Sequence, residues 1–371
     1  MFQRGSLTLF RVRGVPIRAH WSLLLIVPYL AYVLAAELHS PAWGVVLALG
    51  LFASITLHEL AHTFVALRFG GQVRGITLMI LGGVSQMSRM PRRPLHEAVM
   101  AGVGPLTSLV IGVVLYLCAR GAHAASPDVQ MALYYLGVTN LVLGVFNLVP
   151  AFPMDGGRLL RALLAARLSR IRATQIAARV GMVCAICLGA LGAATGNFLL
   201  VLVAVFVFFG ARGELGAERV RDALAGLRVV DLLPGPRNPP PLVAASETLA
   251  NVLPRMRQLD RLELVVVDRD GAARAVIRAG DLRDVASGAR WATTVGELAA
   301  RLPVRHVLVP WDAGAIDAID RVTEAGREYV VVTEPRQGAP DEVVGLLAAD
   351  VIARQVQLAL AGGRRPPDEP N

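Results

Sequence analysis

Two imidazoles and a carboxylate stand within one helical turn of each other in Leu57-His58-Glu59-Leu60-Ala61-His62. On a helix, residues i and i+4 share a face, so His58 and His62 can present both rings to one metal ion. The His-Glu-x-x-His spacing suits zinc, with Glu59 turned toward the same place and within reach of a water there. The run lies in an otherwise apolar stretch. Such groups in a bilayer cost roughly 2–3 kcal/mol or more per charge unless they are paired, ligating or wetted. Coincidence would therefore leave three polar side chains needing burial partners at once.

Zinc held by two histidines needs at least a third protein ligand, usually a carboxylate. Residues 1–212 hold only five acids. Glu37 and Asp128 fall at an outer helix end and in an outer loop, and Glu97 opens a helix where the dipole favours it. That leaves Asp155, in Asn147-Leu-Val-Pro150-Ala-Phe-Pro153-Met-Asp155-Gly-Gly-Arg158. The prolines break a helix there, and unwound backbone at membrane depth is tolerated where it lines a polar cavity. Arg158 is expected to cap a helix end or meet lipid phosphate. His20 reads as interfacial beside Trp21, and His39, His96, His123 and His306 lack ligand-spaced partners, so all five are expected to be non-metal. Three cysteines imply no disulfide framework, and the C-x-x-C of Cys184 and Cys187 lacks the βαβ context of a redox motif.

The elements that must position these residues are membrane spans. The chain has 371 residues, 54% of them hydrophobic and 18% charged, with net charge +9 and mean hydropathy +0.54. That is too apolar for an ordinary soluble chain. Six runs approach the length of about 20 residues that a bilayer requires: Ala19–Leu38, Ala42–Phe69, Leu95–Ala119, Met131–Val149, Ile176–Ala194 and a short Phe198–Gly210. The first is expected to be no cleavable signal, being long and lacking a small-residue cleavage site. Residues 1–212 carry +12, all of it on arginines that border these runs. This is how membrane flanks look, and it excludes nucleic acid as a partner. The arginines precede span one and separate spans two from three and four from five. Both termini and those loops are therefore expected in the cytoplasm of a multi-pass protein of the bacterial cell membrane.

Residues 213–241 read as a charged helix and a Pro-rich linker. Residues 242–360 then repeat one pattern twice: helix, β-branched strand, turn, strand and helix. The first half places these at Ala250–Gln258, Leu262–Val267, Asp268–Gly271, Ala275–Ile277 and Asp281–Ala286. The second begins with a helix over Gly314–Ala325 and ends on Asp350–Val356. Two copies mean a paired module rather than a solenoid. Residues 361–371 read as a disordered tail.

These motifs together resemble the site-2 family of intramembrane zinc metalloproteases, in the branch with a C-terminal cystathionine-β-synthase (CBS) domain pair. The family's His-Glu-x-x-His matches His58, Glu59 and His62. Its Asn-x-x-Pro-x-x-Pro-hydrophobe-Asp-Gly signature matches Asn147, Pro150, Pro153, Met154, Asp155 and Gly156. Its glycine-rich stretch after the zinc helix resembles Leu81–Val84, and its Gly-containing third span resembles Ala101–Pro105. The resemblance implies an α-helical integral membrane protein of about six transmembrane helices with a short β hairpin, followed by a soluble α/β CBS pair. It implies one Zn2+ per chain on His58, His62 and Asp155, Glu59 as catalytic base, and membrane-protein substrates cut at transmembrane or membrane-proximal peptide bonds. Asn147 is expected either to hold the scissile peptide or developing oxyanion, or to cap span four. Gly71–Met87 is expected either to pair with an unwound substrate strand or to form a plain interfacial hairpin.

CBS pairs bind adenine nucleotides, which places Asp281 and Asp350 at ribose hydroxyls. This chain departs from the family pattern, with Ala275 and Arg278 in place of the usual Gly and hydroxyl residue and a shortened Gly345–Asp350. Homodimerisation or substrate docking through the pair is the competing expectation. As a whole-chain alternative, a non-catalytic membrane zinc-binding or scaffold protein with the CBS pair as sensor would be free to lose Glu59, and this chain keeps it. An ion transporter would repeat its ligand cluster, and here there is one.

Overall fold

Apolar and polar residues alternate over positions 15–20, with Val15 and Ile17 buried, and this draws the start of the expected first span into a sheet. The computed structural model describes residues 5–38, 40–80, 82–89, 93–122, 126–233, 241–283 and 285–348, with 351, 352, 354 and 357 beyond them. In it β1 (Ser6–Val12) and β2 (Val15–His20) pair as an antiparallel hairpin. The following helix α1 (Leu23–Leu38) has 16 residues, with Pro28 inside it. It falls short of the length a perpendicular span requires.

Next come α2 (Pro41–Arg68), β3 (Gln72–Met79), β4 (Gly82–Arg89), α3 (Pro94–Gly121), α4 (Pro127–Asn147), α5 (Asp155–Ala165), α6 (Arg170–Thr195) and α7 (Phe198–Leu224). Among the described residues, α2, α3, α4, α6 and α7 are long and apolar enough to cross a membrane. The expected six spans thus become five full-length helices and the shorter α1. The sixth expected run is not short: α7 continues through Arg212–Arg221 to 27 residues, because Arg, Glu, Leu and Ala are good helix formers and no proline interrupts them. Length, apolarity and burial pattern make this an integral membrane protein.

The four-stranded sheet has the order β1-β2-β3-β4, with β2 and β3 parallel and β3 and β4 antiparallel. Ile17, Ile76 and Leu78 from this sheet pack on Leu60 of α2. β4 is an edge strand lying along the helix that carries the histidines.

By contact clustering the chain divides into two units, Met1–Glu218 and Arg219–Asn371. Within the second, β5 (Leu242–Ala244), α8 (Val252–Leu259), β6 (Glu263–Val267) and β7 (Ala273–Arg278) make the first half, with β5 parallel and β7 antiparallel to β6. After α9 (Val295–Ala299), the second half runs β8 (His306–Pro310), α10 (Ala315–Glu324), β9 (Tyr329–Arg336) and β10 (Ala339–Ala348), again parallel then antiparallel. The halves share a core of Val265, Val276, Tyr329, Val331 and Val343. The helix expected over Asp281–Ala286 is a 3-10 turn at Ala279–Leu282 instead. There the Asp281 carboxylate accepts the Arg278 backbone N–H at 2.8 Å and so closes a tight turn. The counterpart opening at Asp350, the linker over 234–240 and the tail over 361–371 lie outside the described residues.

Candidate metal centre

Helix α2 brings His58 and His62 to one face, both buried, with the ring centroids 4.8 Å apart. Helix α4 ends at Asn147, and the chain turns irregularly through 148–154 before α5 opens on Asp155. Unwinding over these few residues carries the Asp155 carboxylate to the histidines. Its Oδ2 lies 3.2 Å from Nε2 of His58 and 3.0 Å from Nε2 of His62, and the two Nε2 atoms are 3.2 Å apart. Among the described residues this is the group of His, Cys, Asp and Glu side chains that could hold a metal ion.

The far side of each ring decides what the near side offers. His62 Nδ1 is 2.7 Å from the Met100 carbonyl, which can only accept, so Nδ1 carries the proton and Nε2 of the neutral ring presents a lone pair. His58 Nδ1 meets the Ser108 hydroxyl at 2.9 Å. With Nδ1 donating there too, the neutral rings would turn two lone pairs toward the carboxylate. A cation satisfies that arrangement. The separations match those between ligands of one tetrahedral zinc, roughly 3.3 Å for bonds of about 2.0–2.1 Å. The outward hydrogen bonds are the outer-sphere support that ligating histidines require.

Helix α3 lies against this cluster because residue 104 is glycine. A Cβ there would stand 2.2 Å from His62 Nε2 and 2.8 Å from His58 Nε2. Glu59, half-buried on the neighbouring face of α2, accepts the Ser85 hydroxyl of β4 on its Oε2 at 2.7 Å. At the end of α4, Asn147 donates its Nδ2 to the Leu143 carbonyl one turn back at 3.0 Å.

Glu97 does more than complement a helix dipole. It is 2% exposed and accepts Arg161 Nε at 2.7 Å and Arg170 Nη1 at 2.6 Å. Arg161 also reaches Glu214 at 2.7 Å, and Arg170 reaches Glu218 at 3.1 Å. This network ties α3, α5, α6 and α7 together one turn from Met100. Arg158 sits in the first turn of α5, half-buried, and its enclosed Nε lacks a hydrogen-bond partner among the described residues. His20 pairs with the Ser22 hydroxyl at 2.9 Å and His96 stacks on Phe69. His39 and His123 lie outside the described residues. Gly104 falls in the Ala101–Pro105 stretch that resembles the family's third span, whereas Met100 and Ser108 carry no signal in the sequence beyond four-residue spacing from it along the third apolar run.

In the second unit, both oxygens of Asp281 are within 2.9 Å of Arg305 Nη1. A ribose hydroxyl would have to displace that guanidinium. Asp350 lies outside the described residues.

The chain is similar to several known proteins. The model of Peptidase family M50 matches residues 46–122 and 118–188. A putative zinc metalloprotease, Rip3 of Mycobacterium tuberculosis, is 32% identical over 96% of this chain and 94% of its own. The solved site-2 protease from Methanocaldococcus jannaschii is 38% identical over 57% of this chain and 95% of its own, with a TM-score of 0.44. The CBS domain pair of protein MJ0100, solved with methylthioadenosine and S-adenosyl-L-methionine, is 17% identical over 35% of this chain and 96% of its own, with a TM-score of 0.28. The second unit is an α/β domain in two halves, each with a parallel and then an antiparallel strand pair, as expected for a CBS pair.

Proposed function

The chain belongs to peptidase family M50, and from that premise we propose that it is an intramembrane zinc endopeptidase cutting transmembrane or membrane-proximal peptide bonds of membrane proteins, regulated by its CBS pair. The observation that carries this reading is the meeting of three buried ligand atoms, His58 Nε2, His62 Nε2 and Asp155 Oδ2, within 3.2 Å of one another. These residues would hold the zinc. When bound, the metal supplies Lewis-acid polarisation of the scissile carbonyl and makes water a nucleophile near neutral pH.

The remaining chemistry belongs to the chain. Glu59 takes the proton of the attacking water on its carboxylate and returns it to the nitrogen of the departing amine. The Asn147 amide, at the helix end beside the unwound segment, binds the scissile peptide or its oxyanion. A helical substrate shields its own peptide bonds and must unwind to be cut. The free edge of β4 takes up the unwound strand by backbone pairing. The arginines that border the apolar helices support an orientation with the N-terminus and the second unit in the cytoplasm of a bacterial cell. There the CBS pair serves as a regulatory or homodimerising module.

The test is cleavage of membrane-anchored substrates in liposomes by the wild type and by Glu59→Gln, with zinc content read on both. Zinc retained and cleavage lost in the variant is the expected result. Zinc in both and cleavage by neither, while an active family member cuts the same panel, overturns the protease reading in favour of a scaffold.

A further inference from the structure

The carboxylate that must accept a proton has a fixed neighbour that the mechanism has not used. Ser85 lies on β4, and its hydroxyl donates to Glu59 Oε2 at 2.7 Å. Ser85 Oγ also stands 3.3 Å from Thr63 Oγ1. Thr63 is fully buried one helical turn beyond Glu59. A serine hydroxyl has one proton to give. With that proton on Glu59, the Thr63 hydroxyl is the donor to Ser85, so Thr63, Ser85 and Glu59 form a directed chain that ends on one carboxylate oxygen.

Gly83, two residues earlier on the same face of the strand, makes the contact possible. A Cβ there would come 2.5 Å from Glu59 Cγ and 3.1 Å from Ile55 Cγ2, so any larger residue would lift β4 off the helix. The strand is also held in register from its other side, where Ser85 pairs with Ile76 and Gly83 with Leu78 of β3.

We propose that Ser85 is a positioning residue for Glu59, holding one carboxylate oxygen so that the other faces the reacting water, and coupling the strand that receives substrate to the base. This rests on the reading of Glu59 as the base. Because side chains i and i+2 share a face of a strand, Gly83 and Ser85 bear on Glu59 together. An occupant pairing with the open edge of β4 stiffens the strand that carries both. The base is thereby best aligned when the edge is filled.

The experiment compares the full-length wild type, Ser85→Ala, Ser85→Thr and Glu59→Gln in liposomes. It reads kcat and KM on one membrane-anchored substrate together with zinc content. A lost hydrogen bond to a charged group predicts a fall in kcat of about tenfold to a hundredfold for Ser85→Ala, with KM and zinc content unchanged. Ser85→Thr, which keeps the hydroxyl, recovers most of that loss. A Ser85→Ala protein with wild-type kcat, or with only KM raised, overturns the inference while an inactive Glu59→Gln leaves the base in place. Cleavage by Glu59→Gln overturns the assignment of the base, and the role of Ser85 falls with it. Loss of zinc from Ser85→Ala also counts against the proposal, since it would mark a defect in the ligand cluster rather than in the base.

Discussion

Gly104→Ala adds one methyl group to the membrane unit, and the structure says where it goes. The new Cβ would lie 2.2 Å from His62 Nε2, 2.5 Å from its Cε1 and 2.8 Å from His58 Nε2. Carbon atoms rest at about 3.5–4.0 Å, so restoring contact requires the His62 ring to move by about 1 Å. Neither ring is free to yield, because the Nδ1 atoms are held at 2.7 Å by Met100 and at 2.9 Å by Ser108. Both of these partners are on α3 itself. Moving α3 outward moves the supports with it. Overpacking of this kind costs typically 1–3 kcal/mol in stability. Metal–ligand distances, by contrast, tolerate only about 0.2 Å. The substitution is therefore expected to weaken zinc binding by about a hundredfold or more while the protein stays folded. The control is Gly102→Ala on the same helix, where a Cβ meets nothing within 4 Å and alanine is the better helix former. Zinc affinity by chelator competition on purified protein in detergent, alongside cleavage, separates the two. A Gly104→Ala variant that binds zinc as tightly as Gly102→Ala would refute the packing argument and with it the placement of the ligand cluster against α3.

Two further expectations rest on other parts of the molecule. Ser108→Ala removes the partner of His58 Nδ1 and should cost about 10- to 100-fold in zinc affinity, a loss that Ser108→Thr should largely restore in the same competition assay. In the second unit, burial, and then the Arg327 guanidinium, hold the His306 imidazole below its ordinary value of 6.5. Since the unfolded chain takes up that proton first, the unit is at full stability above pH 6.5 and loses it as pH falls toward and through the lowered folded value. Hydrogen exchange over the peptides of β8 and β9 in the full-length protein should accelerate as the pH falls below 6.5, after correction for intrinsic rates. An equal response in His306→Gln would sink the assignment.

Much of the ligand set was legible because its logic is local. His58 and His62 are one turn apart, and Asp155 was the acid left once the easily solvated ones were set aside. What was not legible depends on residues far apart in sequence. Gly104 and Gly83 fall in stretches that resemble the family's, but which glycine of each stretch matters shows only from the histidines across from one and the glutamate across from the other. Glu97 read as a helix-start acid, since its arginines lie 64 and 73 residues further on. The N-terminal hairpin was hidden by Ala19 and His20, whose apolar neighbours extend without a break into α1. Two-residue alternation over 15–20 was too short a signal to outweigh that run. The length of α7 was underestimated because the change to charge after Arg212 was read as the start of a separate helix, when it marks only the end of the apolar part of one.

The ion network at Glu97 has a bearing on how the protein is made. Synthesis delivers α3, with its carboxylate, well before Arg161 and Arg170, and the acids that complete the cluster come later still, on α7. A buried carboxylate without its cation is strongly destabilising, by about 3–5 kcal/mol. The first turn of α3 thus has no settled place until α6 has been synthesised, and Met100, the carbonyl that orients His62, lies in the turn that follows. Both histidines leave the ribosome early, yet the site they form cannot close until most of the membrane unit exists. The nascent chain carries an unfinished metal centre through its own insertion, and the arginine that opens α6 sets the moment at which the first turn of α3 can settle.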